Sequence, residues 1–180
     1  MNWYPDKRRG LLWGAGIVLV LLVVDGLLLR AMWRSPMGLG AFGWALLGLL
    51  VLALAVSAVY ACYALSTLAY RSERNGIVIR WGVRFEVIPA AEIKRVVTLP
   101  RVSVRRGLGW PGYRFGWAYV ARVGWAQTYL SGPLQQAVVV ETRRGDYVIS
   151  PADIEGFLIH SRDQCALGPA ANWEWGPQLP

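Results

Sequence analysis

The side chains that most often perform catalysis are scarce in this chain. His160 is the single histidine, and the two cysteines, Cys62 and Cys165, lie far apart in the sequence. His160 and Cys165 are five positions apart, a spacing that does not place two side chains on one helical face. Nucleophile-and-base pairs and metal sites are therefore not indicated. We interpret both cysteines as small apolar residues, unpaired in a reducing compartment.

Sequence motifs of common enzyme classes are not found either. The chain has no P-loop, no G-x-G-x-x-G after a predicted strand, no G-x-S-x-G and no H-E-x-x-H. Glu141 and Asp146 flank a predicted surface turn, and we interpret them as solvated charges. The sequence therefore predicts no catalysis and no cofactor, so the expected function is binding.

Residues 101–125 could make contacts of another kind, because they interleave five arginines with six aromatic side chains. Arginine, tryptophan and tyrosine are the residue types enriched at interface hot spots, and they also suit contact with lipid headgroups. We predict that residues 100–116 form a long loop that contacts a partner or lipid through Arg105, Arg106, Trp110 and Arg114. In the strands that follow, Trp117, Tyr119 and Trp125 are expected to fill the core.

Two long apolar runs precede this region, at about residues 11–29 and 39–68. Each is long enough to cross a hydrocarbon core of about 30 Å as a helix. Only residues 30–36 connect them, so residues 1–70 are predicted to form a transmembrane helical hairpin. The charges at its ends predict its orientation, because Lys and Arg favour the cytoplasmic side. Lys7 to Arg9 precede the first run and Arg71, Arg74, Arg80 and Arg84 follow the second, whereas the connection has only Arg30 and Arg34.

These features predict a multi-pass protein of the cell (inner or plasma) membrane with both termini in the cytoplasm. Small residues of the second helix are candidates for close helix packing, either within the hairpin or against another membrane protein. They are Ala45, Ala53, Ser57 and Ala61. Gly10 and Gly14 form a G-x-x-x-G at the start of the first helix. Asp25 lies within the first apolar run near its outer end. We interpret it as a structural acid that snorkels or is hydrogen-bonded, with Arg30 and Arg34 as candidate partners, and contact with a partner subunit is the alternative.

After Gly76 the apolar pattern changes from helical to alternating, which predicts strands. About seven strands are expected, at 77–81, 84–88, 93–99, 117–123, 125–130, 136–142 and 147–150. Ser150, Pro151 and Asp153 then favour the start of a helix, with Ser150 as its cap. Gly168 and Pro169 are expected to end it. Residues 167–180 form a tail rich in Trp, Pro and Gly.

Seven strands followed by one amphipathic helix resemble a pleckstrin-homology (PH) domain. Residues 88–93 (Ile-Pro-Ala-Ala-Glu-Ile) resemble the I-P-x-x-x-I step of bacterial PH-like domains. The stretch from Val138 through Gly145, Tyr147, Ser150, Pro151 and Asp153 to Phe157 is similar to their v-T-x-x-G-x-Y-x-I-S-P-x-D-x-x-x-F ending, and so is the loop at Pro111–Tyr113 with Gly116. The resemblance covers about residues 71–166.

This resemblance implies an α+β membrane protein in which a transmembrane α-hairpin precedes a seven-stranded bent sheet or partial barrel capped by a C-terminal helix. It implies a binding module without catalytic residues. The eukaryotic phosphoinositide signature is not present, since Arg80 and Arg84 occupy its region and match it poorly. No inositol-lipid specificity is therefore implied.

Two functions remain open at this stage. The first is a scaffold or accessory subunit of a membrane complex, whose partner is another membrane protein or a second copy of the chain. The second is a sensor of anionic headgroups at the cytoplasmic leaflet, since residues 71–180 carry a net charge of +5. Membrane lipids are partners in either case. Nucleic acid is not expected, because this charge is modest and no recognition motif accompanies it.

Overall fold

The first part of the chain folds into two long helices. The computed structural model describes residues 2–36, 38–100, 102–132, 136–165 and 174–176. Helix α1 (Arg8–Arg34) has 27 residues and helix α2 (Leu39–Thr67) has 29, and they pack against each other as a hairpin. Both are long and apolar enough to cross a membrane. Helix α1 extends beyond the apolar run at both ends, because Arg8 and Arg9 at its start and Arg30, Ala31 and Met32 at its end are good helix formers.

The remaining chain forms two sheets and one further helix. Sheet A is antiparallel throughout, with its strands in sequence order, and comprises β1 (Asn2–Trp3), β2 (Ala69–Glu73), β3 (Gly76–Trp81) and β4 (Arg84–Pro89). Sheet B has the order β11-β5-β9-β10-β8-β7-β6 and comprises β5 (Ile93–Leu99), β6 (Val104–Trp110), β7 (Tyr113–Val120), β8 (Gly124–Ser131), β9 (Ala137–Thr142), β10 (Asp146–Ile149) and β11 (Glu174–Gly176). Its parallel pairs are β8 with β10 and β5 with β11. Helix α3 (Ile154–Cys165) follows β10.

The expected single sheet of seven strands is thus replaced, in the described part of the chain, by sheets of four and seven strands. The loop predicted at 100–116 is also wrong, because β6 and the start of β7 form a β-hairpin there. Most β6 side chains are exposed on both faces, so no alternation of apolar residues identifies the strand. Gly107 and Gly109 adopt positive φ angles of 154° and 132°, conformations that favour glycine and that accompany irregular pairing with β7.

Both faces of the central strands of sheet B are buried. Neighbouring residues point to opposite faces of a strand, and in β9 Val138 belongs to one apolar cluster and Val139 to another. The same division separates Val148 from Ile149 in β10. The first cluster fills the space between the two sheets and includes Phe157 of α3, which packs against β2. Helix α3 therefore covers one side of this core.

The start of α3 differs from the expectation. Its cap is Asp153, whose Oδ1 accepts a hydrogen bond from the Gly156 N–H at 2.9 Å. Ser150 is buried, and its Oγ accepts from Ser131 N at 2.8 Å and donates to Ser131 O at 3.1 Å. Ser150 therefore joins the end of β10 to β8. The stop predicted at Gly168 and Pro169 lies outside the described residues, as does the tail except for β11.

Candidate interaction surface

Sheet A begins with the two residues of β1, which come before the first helix. Asn2 pairs with Arg71 and Trp3 with Tyr70 of β2. Beyond β1, Ser131 Oγ donates to Asp6 O at 2.9 Å. The N-terminal segment and the sheet domain therefore lie at the same end of the helical hairpin. This strand has no signal in the sequence, because two residues show no periodicity.

The β6–β7 turn attaches the domain to α1. Trp110 is half-buried, and its Nε1 donates to Gly10 O at 2.7 Å. A Cβ on Gly14 would lie 2.9 Å from the Trp110 ring and 2.5 Å from Cys62 Sγ. The G-x-x-x-G of α1 thus gives close approach to α2 and to the indole of the domain at once.

The β3–β4 turn attaches the domain to α2. Gly82 N–H donates to Thr67 Oγ1 at 2.9 Å, and the Trp81 ring lies 6.5 Å from the Tyr60 ring. With the β6–β7 turn, these contacts hold the domain in one orientation against the helices. A separate bond, from Lys7 Nζ to Ser66 O at 2.7 Å, joins the start of α1 to the end of α2.

The predicted contact residues are distributed along the β6–β7 hairpin. Arg105 and Arg106 are exposed on β6, which is an edge strand of sheet B, and Arg114 is half-buried on β7 opposite Gly109. Trp110 makes the intramolecular contact with α1 described above. At about 3.3 Å per residue, Arg106 lies roughly 13 Å along the strand from Trp110. The exposed arginines and the tryptophan therefore occupy opposite ends of the strand.

Three aromatic residues expected in the core lie instead on the surface. Trp117, Tyr119 and Trp125 are 59%, 37% and 57% exposed, and the residues that point inward between them are Ala118, Val120 and Ala126. The strands alternate as predicted, but the small side chains point into the core and the aromatic side chains point out of it. We name Trp117, Tyr119 and Trp125 the aromatic face. The signal in the sequence was the alternation of bulky aromatic with small apolar residues.

The aromatic face extends over β7 and β8 and borders β6. Tyr119 pairs with Trp125 on β8 and with Arg106 on β6, so all three side chains point to the same side of sheet B. The rings of Tyr119 and Trp125 meet edge to face at 6.0 Å. A basic side chain thus borders an exposed aromatic pair.

The candidate helix-packing residues occupy different surroundings. Ala61 is buried, whereas Ala45, Ala53 and Ser57 are exposed on α2. The face of α2 that is buried in the described structure carries Gly48, Val51 and Ala55 instead. Ala45, Ala53 and Ser57 therefore lie away from the contact with α1, and their packing against another protein stays a prediction. Asp25 faces Gly48, with its Oδ1 3.5 Å from the position of a Cβ there.

A cleft of about 360 Å³ separates β3 and β4 from β7 and β8, lined by residues that include Trp81, Arg84, Glu86, Phe115, Gln127 and Tyr129. Two hydrogen bonds join polar groups in and beside this cleft. Gln127 Nε2 donates to Tyr129 Oη at 2.7 Å, and Tyr147 Oη donates to Glu86 Oε1 at 3.1 Å. Burial, reinforced by the Glu86 charge, raises the pKa of Tyr147 to about 12. The hydrogen bond from Tyr147 to Glu86 therefore favours the neutral form of this tyrosine.

Glu141 and Asp146 face each other in register on β9 and β10. Burial raises the pKa of Asp146, while a hydrogen bond from the Thr142 backbone and the charge of Lys94 act in the opposite direction. Neither carboxylate is among the residues that line the clefts of the described chain.

Comparison with known families agrees with this architecture. Residues 68–163 match the sequence family described as "Bacterial PH domain". This match covers more than half of the 180 residues, so the chain belongs to the bacterial PH domain family. No curated protein and no solved structure matches the chain significantly. Membership suggests a binding module, since PH-like domains are typically non-catalytic.

Proposed function

We propose that this protein is a membrane-anchored scaffold or accessory subunit whose PH-like domain binds a partner protein at the membrane. The helical hairpin crosses the inner or plasma membrane, with both termini and the domain in the cytoplasm. The observation that carries the proposal is the aromatic face, because tryptophan and tyrosine beside arginine make the strongest protein contacts. Exposed large aromatic residues on a soluble surface otherwise favour aggregation.

The attachment of the domain supports the same function. Hydrogen bonds from Trp110 to Gly10 and from Gly82 to Thr67 fix the domain relative to the helices. A partner in the same membrane then meets the aromatic face at a fixed height and angle. Such pre-organisation lowers the entropic cost of binding.

The test is purification of the full chain from its native membrane in mild detergent, followed by mass spectrometry. We expect a stoichiometric membrane protein to copurify, and to be lost when Trp117 and Trp125 are both changed to Ala. Ile159→Ala is the matched control, since Ile159 is an exposed apolar residue of α3. Retention of every partner by the double variant, or a wild-type protein that purifies alone, would contradict the proposal.

The second candidate function is sensing of anionic lipid headgroups. It is favoured by Arg105 and Arg106, which are adjacent and exposed on the edge strand β6. If it holds, the full chain in nanodiscs is more stable with anionic than with zwitterionic lipid, and salt removes the difference. Changing both arginines to Gln should remove it at low salt as well.

A further inference from the structure

The β3–β4 turn lies beside α2, and this helix determines the surroundings of the turn. Gly82 and Val83 form the two-residue turn, which we call the hairpin tip. A Cβ on Gly82 would lie 3.1 Å from Tyr60 Oη and 3.4 Å from Ala64 Cβ. The hairpin tip is therefore level with residues 60–64 of α2, which is one to two turns before that helix ends at Thr67.

This level is the boundary of a bilayer. The 29 residues of α2 span roughly 43 Å, whereas the hydrocarbon core is only about 30 Å thick. The last turns of α2 therefore reach the headgroup layer, and Tyr60 and Tyr63 there are residues typical of that layer. A surface beside Tyr60 meets lipid unless protein covers it.

The apolar side chains at the hairpin tip and just after it are exposed. Val83 is 68% exposed and Phe85 is 64% exposed. Phe85 points to the outer face of sheet A, opposite the face on which Ile88 is buried, and Val83 lies in the turn itself. In water this arrangement would expose two large apolar groups, whereas at the acyl boundary it buries them.

Charge is distributed around the tip as a headgroup layer requires. Arg80 and Arg84 bracket it and are both exposed, and the Arg80 guanidinium lies 5.7 Å from the centre of the Phe85 ring. Long arginine side chains can place their aliphatic part along apolar surface and their charge on phosphate. The same face of sheet A also carries polar groups, in a cleft of about 390 Å³ whose lining includes Phe85 and Arg80 together with Ser66, Thr67 and Arg71.

We propose that the hairpin tip, with Val83 and Phe85, inserts into the leaflet through which the helices leave the membrane, and that Arg80 and Arg84 bind phospholipid phosphates around it. We assign phospholipid rather than a protein as the occupant of this surface, because its contacts with Tyr60 and Thr67 of α2 hold it at the depth of the headgroup layer. This inference rests on the helical hairpin crossing a membrane, as proposed above. It is independent of the aromatic face, which lies on sheet B.

The test is spin labelling of the full chain in phosphatidylethanolamine and phosphatidylglycerol vesicles. Cys62 and Cys165 are changed to Ala, and single cysteines are introduced as Val83→Cys or Phe85→Cys. Oxygen concentrates in lipid and a nickel chelate stays in water, so their collision rates with the label report depth. Arg144→Cys is the aqueous control, since Arg144 is an exposed residue of the β9–β10 turn. Leu52→Cys, on an exposed position of α2, is the membrane control.

We expect labels at 83 and 85 to show an oxygen-to-nickel ratio severalfold above that at 144 and below that at 52. A ratio at 83 and 85 equal to that at 144, with 52 in lipid, would overturn the insertion alone. A label at 52 as aqueous as that at 144 would overturn the membrane anchoring, and the insertion with it. The two failures are therefore distinguishable.

Discussion

Gly10 and Gly112 meet backbone to backbone although they are distant in the sequence. Trp110, in the same turn as Gly112, is 100 residues from Gly10, to which it is hydrogen-bonded. A Cβ on Gly10 would lie 2.6 Å from Gly112 O, and a Cβ on Gly112 would lie 2.9 Å from Gly10 N. Neither position has room for a larger residue. This contact joins the first turn of α1 to the β6–β7 turn, and it is the closest approach of the domain to that helix among the glycines of the described chain.

Gly10→Ala is therefore expected to destabilise the protein. The added methyl group meets backbone at 2.6 Å and Leu65 Cδ2 at 2.7 Å, and overpacking of this kind costs about 1–3 kcal/mol. The measurement is the free energy of unfolding in detergent, together with the rate of proteolysis between hairpin and domain. Both should show a less stable junction.

Gly16→Ala is the matched control for this change. Gly16 lies in the same helix, and nothing is within 4 Å of its Cβ position. Its replacement should leave stability unchanged or raise it slightly, because alanine has the higher helix propensity. Equal losses in the two variants would show that the contact with Gly112 is not the cause.

Tyr70 of sheet A is buried, and its hydroxyl bonds to the backbone of sheet B and of the residue that follows β10. Its hydroxyl donates to Tyr129 O at 2.6 Å and accepts from Ser150 N at 3.4 Å. Tyr70→Phe leaves both backbone groups without this partner in a buried site, which should cost about 1–3 kcal/mol in the free energy of unfolding. Tyr119→Phe, on the exposed aromatic face, should change it by less than about 0.5 kcal/mol. A Tyr70→Phe variant as stable as the wild type would show that water replaces the hydroxyl.

The family and several elements could be predicted from the sequence because their signals are local. The two apolar runs identify α1 and α2, alternation identifies β3 and β4, and a short run of valines before a turn identifies β9. The C-terminal motif through Gly145, Ser150 and Phe157 identifies the PH-like end of the domain, which the family match confirms.

The contacts that position the domain could not be predicted, because they join residues distant in the sequence. The G-x-x-x-G at Gly10 indicates close packing, but nothing nearby indicates that Trp110 is its partner. Strand β1 is too short for periodicity, and β6 is exposed on both faces. The sequence predicts Trp117 and Trp125 in the core because large aromatic residues are usually buried, whereas Ala118 and Ala126 fill that space in the structure.

The cap of α3 gives a prediction that separates two neighbouring residues. Asp153→Ala removes the acceptor for Gly156 N–H, which should cost about 0.5–2 kcal/mol and raise amide hydrogen exchange in the first turn of α3. Asp153→Asn retains an acceptor and should restore most of the protection. Ser150→Ala should instead raise exchange at Ser131 in β8. If Ser150→Ala increases exchange only in α3, the cap has been assigned to the wrong residue.

Alkaline pH should weaken the fold partly through Tyr147. Burial and the Glu86 carboxylate raise the pKa of Tyr147 to about 12 in the folded protein, whereas an unfolded tyrosine titrates near about 10. The neutral form is favoured by folding, so its contribution is complete below about pH 10 and is lost as pH rises through about 12. Burial also raises the pKa values of Tyr70 and Tyr113, so the whole alkaline decline has several sources.

The measurement is the melting temperature between pH 9 and 12, and Tyr147→Phe should show a shallower decline than the wild type. Glu86→Gln should also flatten it, because the charge that opposes ionisation is gone. Parallel curves for wild type and Tyr147→Phe would show that Tyr147 does not contribute.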